Sequence, residues 1–143
     1  RTLALASFYE HWKDEALVVD KWLRVQAMSR LPGTLHEVKR LMTHPAYSMR
    51  NPNKVYALIG AYTAGNHVRF HAADGSGYDF LADAVIELDA LNAQVAARMV
   101  RGFDRWKKFD WERQARARAA LERVRSKPQL SKDVAEIVTK ALA

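Results

Sequence analysis

The sequence contains no cysteine, which excludes disulfide bonds and metal sites built on thiolates. A reducing compartment is consistent with this absence. The sequence also lacks an apolar run of the roughly 18–20 residues that a membrane-spanning helix needs, and no signal-peptide pattern opens it. We therefore expect a cytoplasmic protein that has no membrane partner.

Acidic residues are too few to balance the basic ones, since 23 Lys and Arg face 16 Asp and Glu and the net charge is +7. The whole excess lies between residues 98 and 127, where eleven basic and four acidic side chains occur. This stretch predicts a solvated helix face, a surface docked on an acidic partner, or a nucleic-acid site in which Trp106 and Trp111 stack on bases. Trp106 also continues an apolar helical stripe, which favours a position in the core.

The rest of the composition is typical of a folded domain, with 49% hydrophobic and 27% charged residues over 143 positions. We expect residues 1–143 to form a single helical domain without an internal boundary. The first residue is Arg1, and helical spacing begins at once with Leu5 and Phe8. We expect from this start that the chain is a piece of a longer protein; removal of a leader is the alternative.

Apolar residues recur with the spacing of amphipathic helices through nearly the whole chain, and no stretch shows convincing strand character. The pattern predicts an all-α protein of about eight helices. Short connections favour antiparallel neighbours, so we predict stacked helical hairpins in a superhelical, HEAT-like α-solenoid, with a compact bundle as the second choice. The first two predicted stripes are Leu5, Phe8, Tyr9 and Trp12, then Val18, Trp22, Val25 and Met28. The later stripes include Val55, Leu58, Ile59 and Tyr62; Tyr78, Leu81, Val85 and Leu88; Val95, Met99, Phe103 and Trp106; Ala117, Ala120, Leu121 and Val124; Val134, Ile137, Val138 and Leu142.

Polar residues at the predicted helix starts indicate where the helices begin. Thr34 and Glu37 have the spacing of a capping box, in which each side chain binds a free backbone N–H near the other. Asn51 precedes Pro52, which suits the first position of a helix because that position needs no N–H donor. Further N-caps are predicted at Asp74 or Ser76, Asn92, Asp110 and Ser131.

The turn-rich stretch from 49 to 78 contains the two patterns that most resemble catalytic motifs. His67 and His71 have the spacing that lets two imidazoles share a metal on a helix, but the run H-V-R-F-H lacks the Glu base of H-E-x-x-H. The run D-G-S-G at 74–77 lacks the lysine and the preceding strand of a phosphate-binding loop. We therefore predict structural or surface histidines, and no catalytic, cofactor or metal residue.

Several segments, in this order, resemble the C-terminal end of the bacterial aminopeptidase N family of zinc-dependent gluzincin aminopeptidases. They are M-R-N-P-N-K and L-I-G-A-Y at 49–62, F-H-A-A-D-G-S-G-Y at 70–78, N-A-Q-V-A-A-R at 92–98, R-Q-A-R-A-R-A-A-L-E at 113–122 and T-K-A-L-A at 139–143. The resemblance implies that the chain is the final part of the family's helical C-terminal domain.

The resemblance also implies a role without chemistry of its own. The family is a group of metallopeptidases whose zinc is held in a catalytic domain by H-E-x-x-H and a downstream Glu, and neither that set, the G-x-M-E-N motif nor the catalytic Tyr is present here. The chain alone is therefore expected to be no enzyme and to need no cofactor, while the parent protein carries Zn. In the family the helical domain caps the catalytic domain, walls the chamber and limits the entry of peptides.

If residues of this chain face that chamber, the resemblance favours Arg98, with Asn51 and Asn53 as further candidates. The guanidinium of Arg98 can pair with the C-terminal carboxylate of a peptide. Asn51 has a competing explanation as a helix cap. The alternative function is a stand-alone helical scaffold that binds nucleic acid or an acidic protein through the basic residues 98–127.

Overall fold

The computed structural model describes residues 2–143, which form nine α-helices and no strand. The all-α prediction is thus confirmed, and within this range no helix is long and apolar enough to cross a membrane. The α-helices are α1 (Thr2–Trp12), α2 (Ala16–Ala27), α3 (Thr34–Leu41), α4 (Pro52–Val55), α5 (His67–Phe70), α6 (Ser76–Leu91), α7 (Ala93–Val100), α8 (Trp111–Arg125) and α9 (Lys132–Leu142). A π-helix covers Tyr56–Gly65, and 3₁₀ turns cover Arg101–Phe103 and Trp106–Lys108.

The chain folds as two compact units, of which the first ends at Asn66 and the second is His67–Ala143. In the first unit, α2 packs against the π-helix, α3 and α1. The core of this unit is apolar and includes Val19, Trp22, Leu23, Val38, Leu41, Val55, Leu58, Ile59 and Tyr62.

The π-helix continues directly from α4 and supplies much of the first unit's core. Asn51 caps α4 as predicted, since its side-chain oxygen accepts a hydrogen bond from the backbone N–H of Asn53 at 3.1 Å. The predicted stripe Val55, Leu58, Ile59 and Tyr62 is fully buried. Its spacing does not separate an α-helix from the wider π-helix, whose hydrogen bonds span one residue more.

The buried faces predicted for α1 and α2 are wrong. In α1 no residue is buried, and Phe8 and Trp12 are 41% and 39% exposed. In α2 only Trp22 of the predicted stripe is buried, whereas Val25 is 62% exposed. The residues buried in α2 are Val19, Trp22, Leu23, Gln26 and Ala27. Because α2 carries apolar residues on two sides, the periodicity of its sequence does not decide which side faces the core.

The capping box predicted at the start of α3 is also wrong. Thr34 is the first residue of the helix, and its hydroxyl donates to the carbonyl oxygens of Ser29 at 2.7 Å and Leu31 at 2.8 Å. The carboxylate of Glu37 instead forms an ion pair with Arg40 at 2.8 Å. Both side chains therefore have partners other than the free N–H groups of the helix start.

In the second unit the long helix α6 packs against α7, α8 and α5, while α9 packs on α7 and α8. The stripes predicted for α6 and α8 are buried throughout, and Phe103 and Trp106 are buried as predicted but lie in the 3₁₀ turns after α7. In α9, Val134, Val138 and Leu142 are buried, whereas Ile137 is only partly so.

Three of the predicted N-caps in this unit are confirmed by hydrogen bonds. The side-chain oxygen of Asn92 accepts from the N–H groups of residues 94 and 95 at 3.1 and 3.2 Å. Asp110 caps α8 through the N–H of residue 113 at 3.1 Å, and Ser131 caps α9 through the N–H of residue 134 at 3.3 Å. At the start of α6 the cap position is Gly75, with φ of 77°, and Asp74 accepts from the N–H of Ser76 at 2.9 Å.

Gly77 lets α6 start directly against the end of α5. A Cβ atom at this position would overlap the backbone carbonyl of Phe70, which cannot move aside as a flexible side chain can. We therefore expect Gly77→Ala to lower the free energy of unfolding by about 2 kcal/mol, within the usual cost of overpacking a core. The measurement is urea denaturation followed by circular dichroism.

Gly33→Ala is the matched control, because a Cβ atom at Gly33 meets nothing within 4 Å. This change should lower the free energy of unfolding by less than about 1 kcal/mol, because Gly33 is the N-cap of α3 and alanine is a poorer cap than glycine. Equal effects of the two substitutions would contradict the close approach of α5 and α6.

Candidate functional site

Arg98 lies on the exposed side of α7, in its last turn. The opposite side of the helix packs against α6 and α9 through Val95, Ala96, Met99 and Val100. Gln94, Arg98 and Arg101 are exposed, and their spacing of four and three residues places them on one face of the helix. Helix α7 and the 3₁₀ turn that follows it therefore present a polar face made of one carboxamide and two guanidinium groups.

The chemistry of this face suits a peptide or a carboxylate. The guanidinium of Arg98 offers N–H donors in a planar fork that matches the two oxygens of a carboxylate, and the carboxamide of Gln94 can both donate and accept. Arg101 is 3.5 Å from the carboxylate of Asp104 in an exposed ion pair, which contributes little to stability.

Asn51 and Asn53 lie in the first unit, at the start of α4. The side-chain oxygen of Asn51 is engaged in the helix cap, which supports the structural explanation for this residue. Asn53 is exposed, and its side chain has no hydrogen-bond partner among residues 2–143. Of these two candidates, Asn53 is the one whose side chain is available to a ligand.

His67 begins the short helix α5, His71 directly follows that helix, and the two residues have different surroundings. Their rings are parallel, with centroids 5.9 Å apart. The Nδ1 atom of His71 is 2.8 Å from the hydroxyl oxygen of Tyr78, and its ring stacks on Phe109 at 4.0 Å. His71 is buried and His67 is exposed. His71 is therefore a packed core residue, and across the described part of the chain no three His, Asp or Glu side chains are grouped to hold a metal ion.

The buried position of His71 also decides its charge. Burial, followed by the positive charges of His67 and Arg113, lowers the pKa of His71 to about 4. Burial likewise raises the pKa of Tyr78. At neutral pH both His71 and Tyr78 are therefore uncharged, and the hydrogen bond between them joins a neutral imidazole to a phenol.

We expect the stability of the protein to fall as the pH is lowered from 6.5 toward about 4, because the unfolded chain then binds a proton at His71 that the folded chain does not. The loss attributable to this residue is at most about 3 kcal/mol. The measurement is the free energy of unfolding in urea across this pH range. His71→Phe should flatten the dependence, since the group that takes up the proton is gone.

His36→Phe serves as the control, because His36 is exposed on α3. This variant should keep the pH dependence of the unchanged protein. If the two variants have the same profile, His71 is not the group responsible.

The basic stretch from 98 to 127 is partly neutralised by contacts within the second unit. The guanidinium of Arg113 pairs with Asp110 at 2.7 Å and donates to the carbonyl oxygen of His71 at 2.6 Å. Arg123 pairs with Asp83 of α6 at 2.6 Å. These two arginines tie α8 to its neighbours, so part of the positive charge has a structural use.

The two tryptophans of this stretch differ in exposure. Trp106 is buried, its indole N–H donates to the carbonyl oxygen of Ala141 at 3.0 Å, and the guanidinium of Arg118 lies 5.0 Å from its ring. The prediction of a core position for Trp106 is confirmed, and its ring is not available to stack on a base. Trp111 is 76% exposed on α8.

Comparison with known proteins identifies the family of the chain. A family model described as "Domain of unknown function (DUF3458_C) ARM repeats" matches residues 1–143. The chain belongs to this family. The description as ARM repeats agrees with the predicted stacking of helical hairpins.

The similar proteins are bacterial aminopeptidases. The chain is 41% identical over 143 residues to aminopeptidase N of Escherichia coli and 42% identical over 142 residues to that of Caulobacter vibrioides. The crystal structure of Legionella pneumophila aminopeptidase A in complex with aspartic acid matches 99% of this chain with 37% identity and a TM-score of 0.93. The resemblance stated from the sequence is therefore confirmed: the chain is a C-terminal ARM-repeat domain of the bacterial aminopeptidase N type.

The chain spans only 16% of each of these relatives. It thus corresponds to one region of much longer proteins.

The sequence patterns did not indicate the link between His71, Tyr78 and Arg113. The sequence feature that could have indicated this cluster is the set of aromatic residues at positions 70, 78, 103 and 109.

Proposed function

We propose that the chain is the C-terminal helical domain of a zinc-dependent aminopeptidase, where it walls the substrate chamber and controls the entry of peptides. The match of the whole chain, at about 40% identity, to proteins named aminopeptidase N carries this proposal. The parent enzyme removes N-terminal residues from peptides in the cytoplasm. The partners of this chain are then the catalytic domain of the same polypeptide and the peptide itself.

Zinc belongs to another part of that polypeptide in this proposal. No group of three potential ligands exists within residues 2–143, and the pair His67 and His71 is divided between solvent and core. A base that activates water would also have to come from outside, since the chain lacks H-E-x-x-H. The chain's contribution is to enclose the substrate, which excludes water and restricts how a peptide can lie.

Within this function we assign Arg98 to the recognition of the peptide's C-terminal carboxylate. Helix α7, which carries Arg98, is held by its buried side and by the Asn92 cap, so the backbone that supports the guanidinium is rigid. A positive group at a fixed distance from the catalytic centre would favour short peptides whose carboxylate reaches it. Asn53 is the second residue that we assign to the chamber wall.

We expect Arg98→Ala in the full-length enzyme to lower kcat/KM for short peptides with a free carboxylate by about 10- to 100-fold, because hydrogen bonds to charged groups contribute roughly 1.5–3 kcal/mol. Aminoacyl anilides, which have no carboxylate, should be cleaved at an unchanged rate. The measurement is steady-state kinetics on both substrate types.

Arg105→Ala is the matched control, because Arg105 is exposed and has no ion-pair partner among the described residues. It should leave kcat/KM unchanged for both substrates. Unchanged kinetics of Arg98→Ala on peptides with a free carboxylate would overturn the assignment of Arg98.

A further inference from the structure

A cavity of about 660 Å³ lies within the first unit, between α1, α2, α3 and the turn that follows α3. Its volume is that of a small-molecule site, since such sites measure roughly 300–1,000 Å³ and combine apolar walls with a few converging polar groups. None of its lining residues belongs to α4 or α7. The cavity is therefore separate from the residues assigned to the chamber wall.

Three aromatic rings form one wall of this cavity. The centroid of Tyr9 is 4.8 Å from that of Trp22 and 4.6 Å from that of His44, and the last two are 5.2 Å apart. The indole N–H of Trp22 donates to the carbonyl oxygen of Leu5 at 2.9 Å, and Nδ1 of His44 accepts from the N–H of Ala46 at 3.0 Å. Burial lowers the pKa of His44, so this wall is rigid and uncharged at neutral pH.

Gln26 lines the same cavity with a hydrogen-bond acceptor that the protein leaves unused. Its side chain is only 3% exposed, and its Nε2 atom donates to the carbonyl oxygen of Trp22 at 3.1 Å. The Oε1 atom accepts no hydrogen bond from any described residue. Because polar groups of buried side chains normally have partners, the cavity is where a donor for this oxygen would be found.

The α3 side of the cavity carries charges of both signs. The carboxylate of Glu37 binds the Nε and Nη2 atoms of Arg40 at 2.8–3.1 Å, and the Nη1 atom of Arg40 has no partner among residues 2–143. The two side chains are 41% and 52% exposed, so their ion pair contributes little to stability. The pair therefore offers a carboxylate to a cation and N–H donors to an anion in one place.

We propose that this cavity binds a free α-amino acid with a large apolar side chain. The ammonium group donates to Oε1 of Gln26 and to the carboxylate of Glu37, and the ring faces beside it favour a cation. The carboxylate of the ligand accepts from Nη1 of Arg40, while its side chain packs on Tyr9 and Trp22. The proposal does not rest on the proposed function. In a parent aminopeptidase, however, the ligand belongs to the class of compounds that the reaction releases, so the site would respond to product.

The test is isothermal titration calorimetry with L-phenylalanine and the full-length protein, whose zinc site is first saturated with a hydroxamate inhibitor. Phenethylamine lacks the carboxylate and 3-phenylpropionate lacks the ammonium group. Both should bind at least about tenfold more weakly than L-phenylalanine, because each loses a hydrogen bond between charged groups. Equal affinity of any two of the three compounds would overturn recognition of both charges, and the absence of L-phenylalanine binding would overturn the site.

Variants locate the binding in this cavity. Gln26→Leu, which keeps the volume of the side chain, should weaken the binding of L-phenylalanine about tenfold or more. Arg40→Gln should weaken it similarly and leave the binding of phenethylamine unchanged. Lys39→Gln is the matched control, since Lys39 is exposed on α3 without a partner among the described residues and does not line the cavity.

Circular dichroism checks that each variant is folded, and Arg40→Gln keeps the test decisive if Gln26→Leu does not fold, because Arg40 is exposed. Wild-type affinity in folded Arg40→Gln would place the binding elsewhere and overturn the proposal.

Peptidase activity of the same preparation separates this proposal from the proposed function. An active enzyme that binds no amino acid outside its zinc site overturns the proposed site and leaves the proposed function intact. A full-length protein that does not cleave aminoacyl substrates overturns the proposed function, whatever it binds in the cavity.

Discussion

The ends of short helices impose the constraint on which this structure depends, because each end leaves backbone groups without partners inside the helix. Side chains satisfy many of them locally, as Asn51, Asn92 and Asp110 do for the N–H groups that follow them. Asn66 does so from a distance, since its amide donates to the carbonyl oxygens of Ala27 at 2.9 Å and Ser29 at 2.7 Å. The buried amide thus joins the end of the π-helix to the end of α2, which lies 39 residues earlier in the chain.

The need to satisfy the backbone groups at helix ends also gives the arginines of the second unit partners, because a carboxylate that caps a helix can pair with an arginine as well. Asp110 caps α8 and also pairs with Arg113, whose guanidinium continues to the carbonyl oxygen of His71. One carboxylate therefore satisfies a helix start and orients a cation that links α8 to α5. The imidazole of His71, held between Phe109 and Tyr78, stays neutral because burial disfavours its charged form, and the nearby positive charges of His67 and Arg113 add to this effect.

Sequence patterns predicted the second unit better than the first for a physical reason. Helix α9 is apolar mainly on one side and is capped by Ser131, so periodicity and cap agree on where it begins and which face it buries. In α2 both sides are apolar, and periodicity alone does not distinguish a face buried within the chain from one left for another part of the protein. Arg98 and Asn53 were located on helices from the sequence, but whether they meet a substrate depends on domains that the chain does not contain.

The candidate face of α7 depends on a single residue at the junction of two helices. The backbone N–H of Asn92 donates to the carbonyl oxygen of Leu88 at 2.6 Å, which ends α6, while its side chain caps α7. Its extended backbone, with φ of −157°, changes the direction of the chain in one step. The angle at which Gln94 and Arg98 project is therefore set by hydrogen bonds at Asn92 and by packing on α6. The proposed role in a chamber wall would require this rigidity, because a polar group can select among peptides only if its distance from the reacting bond is fixed.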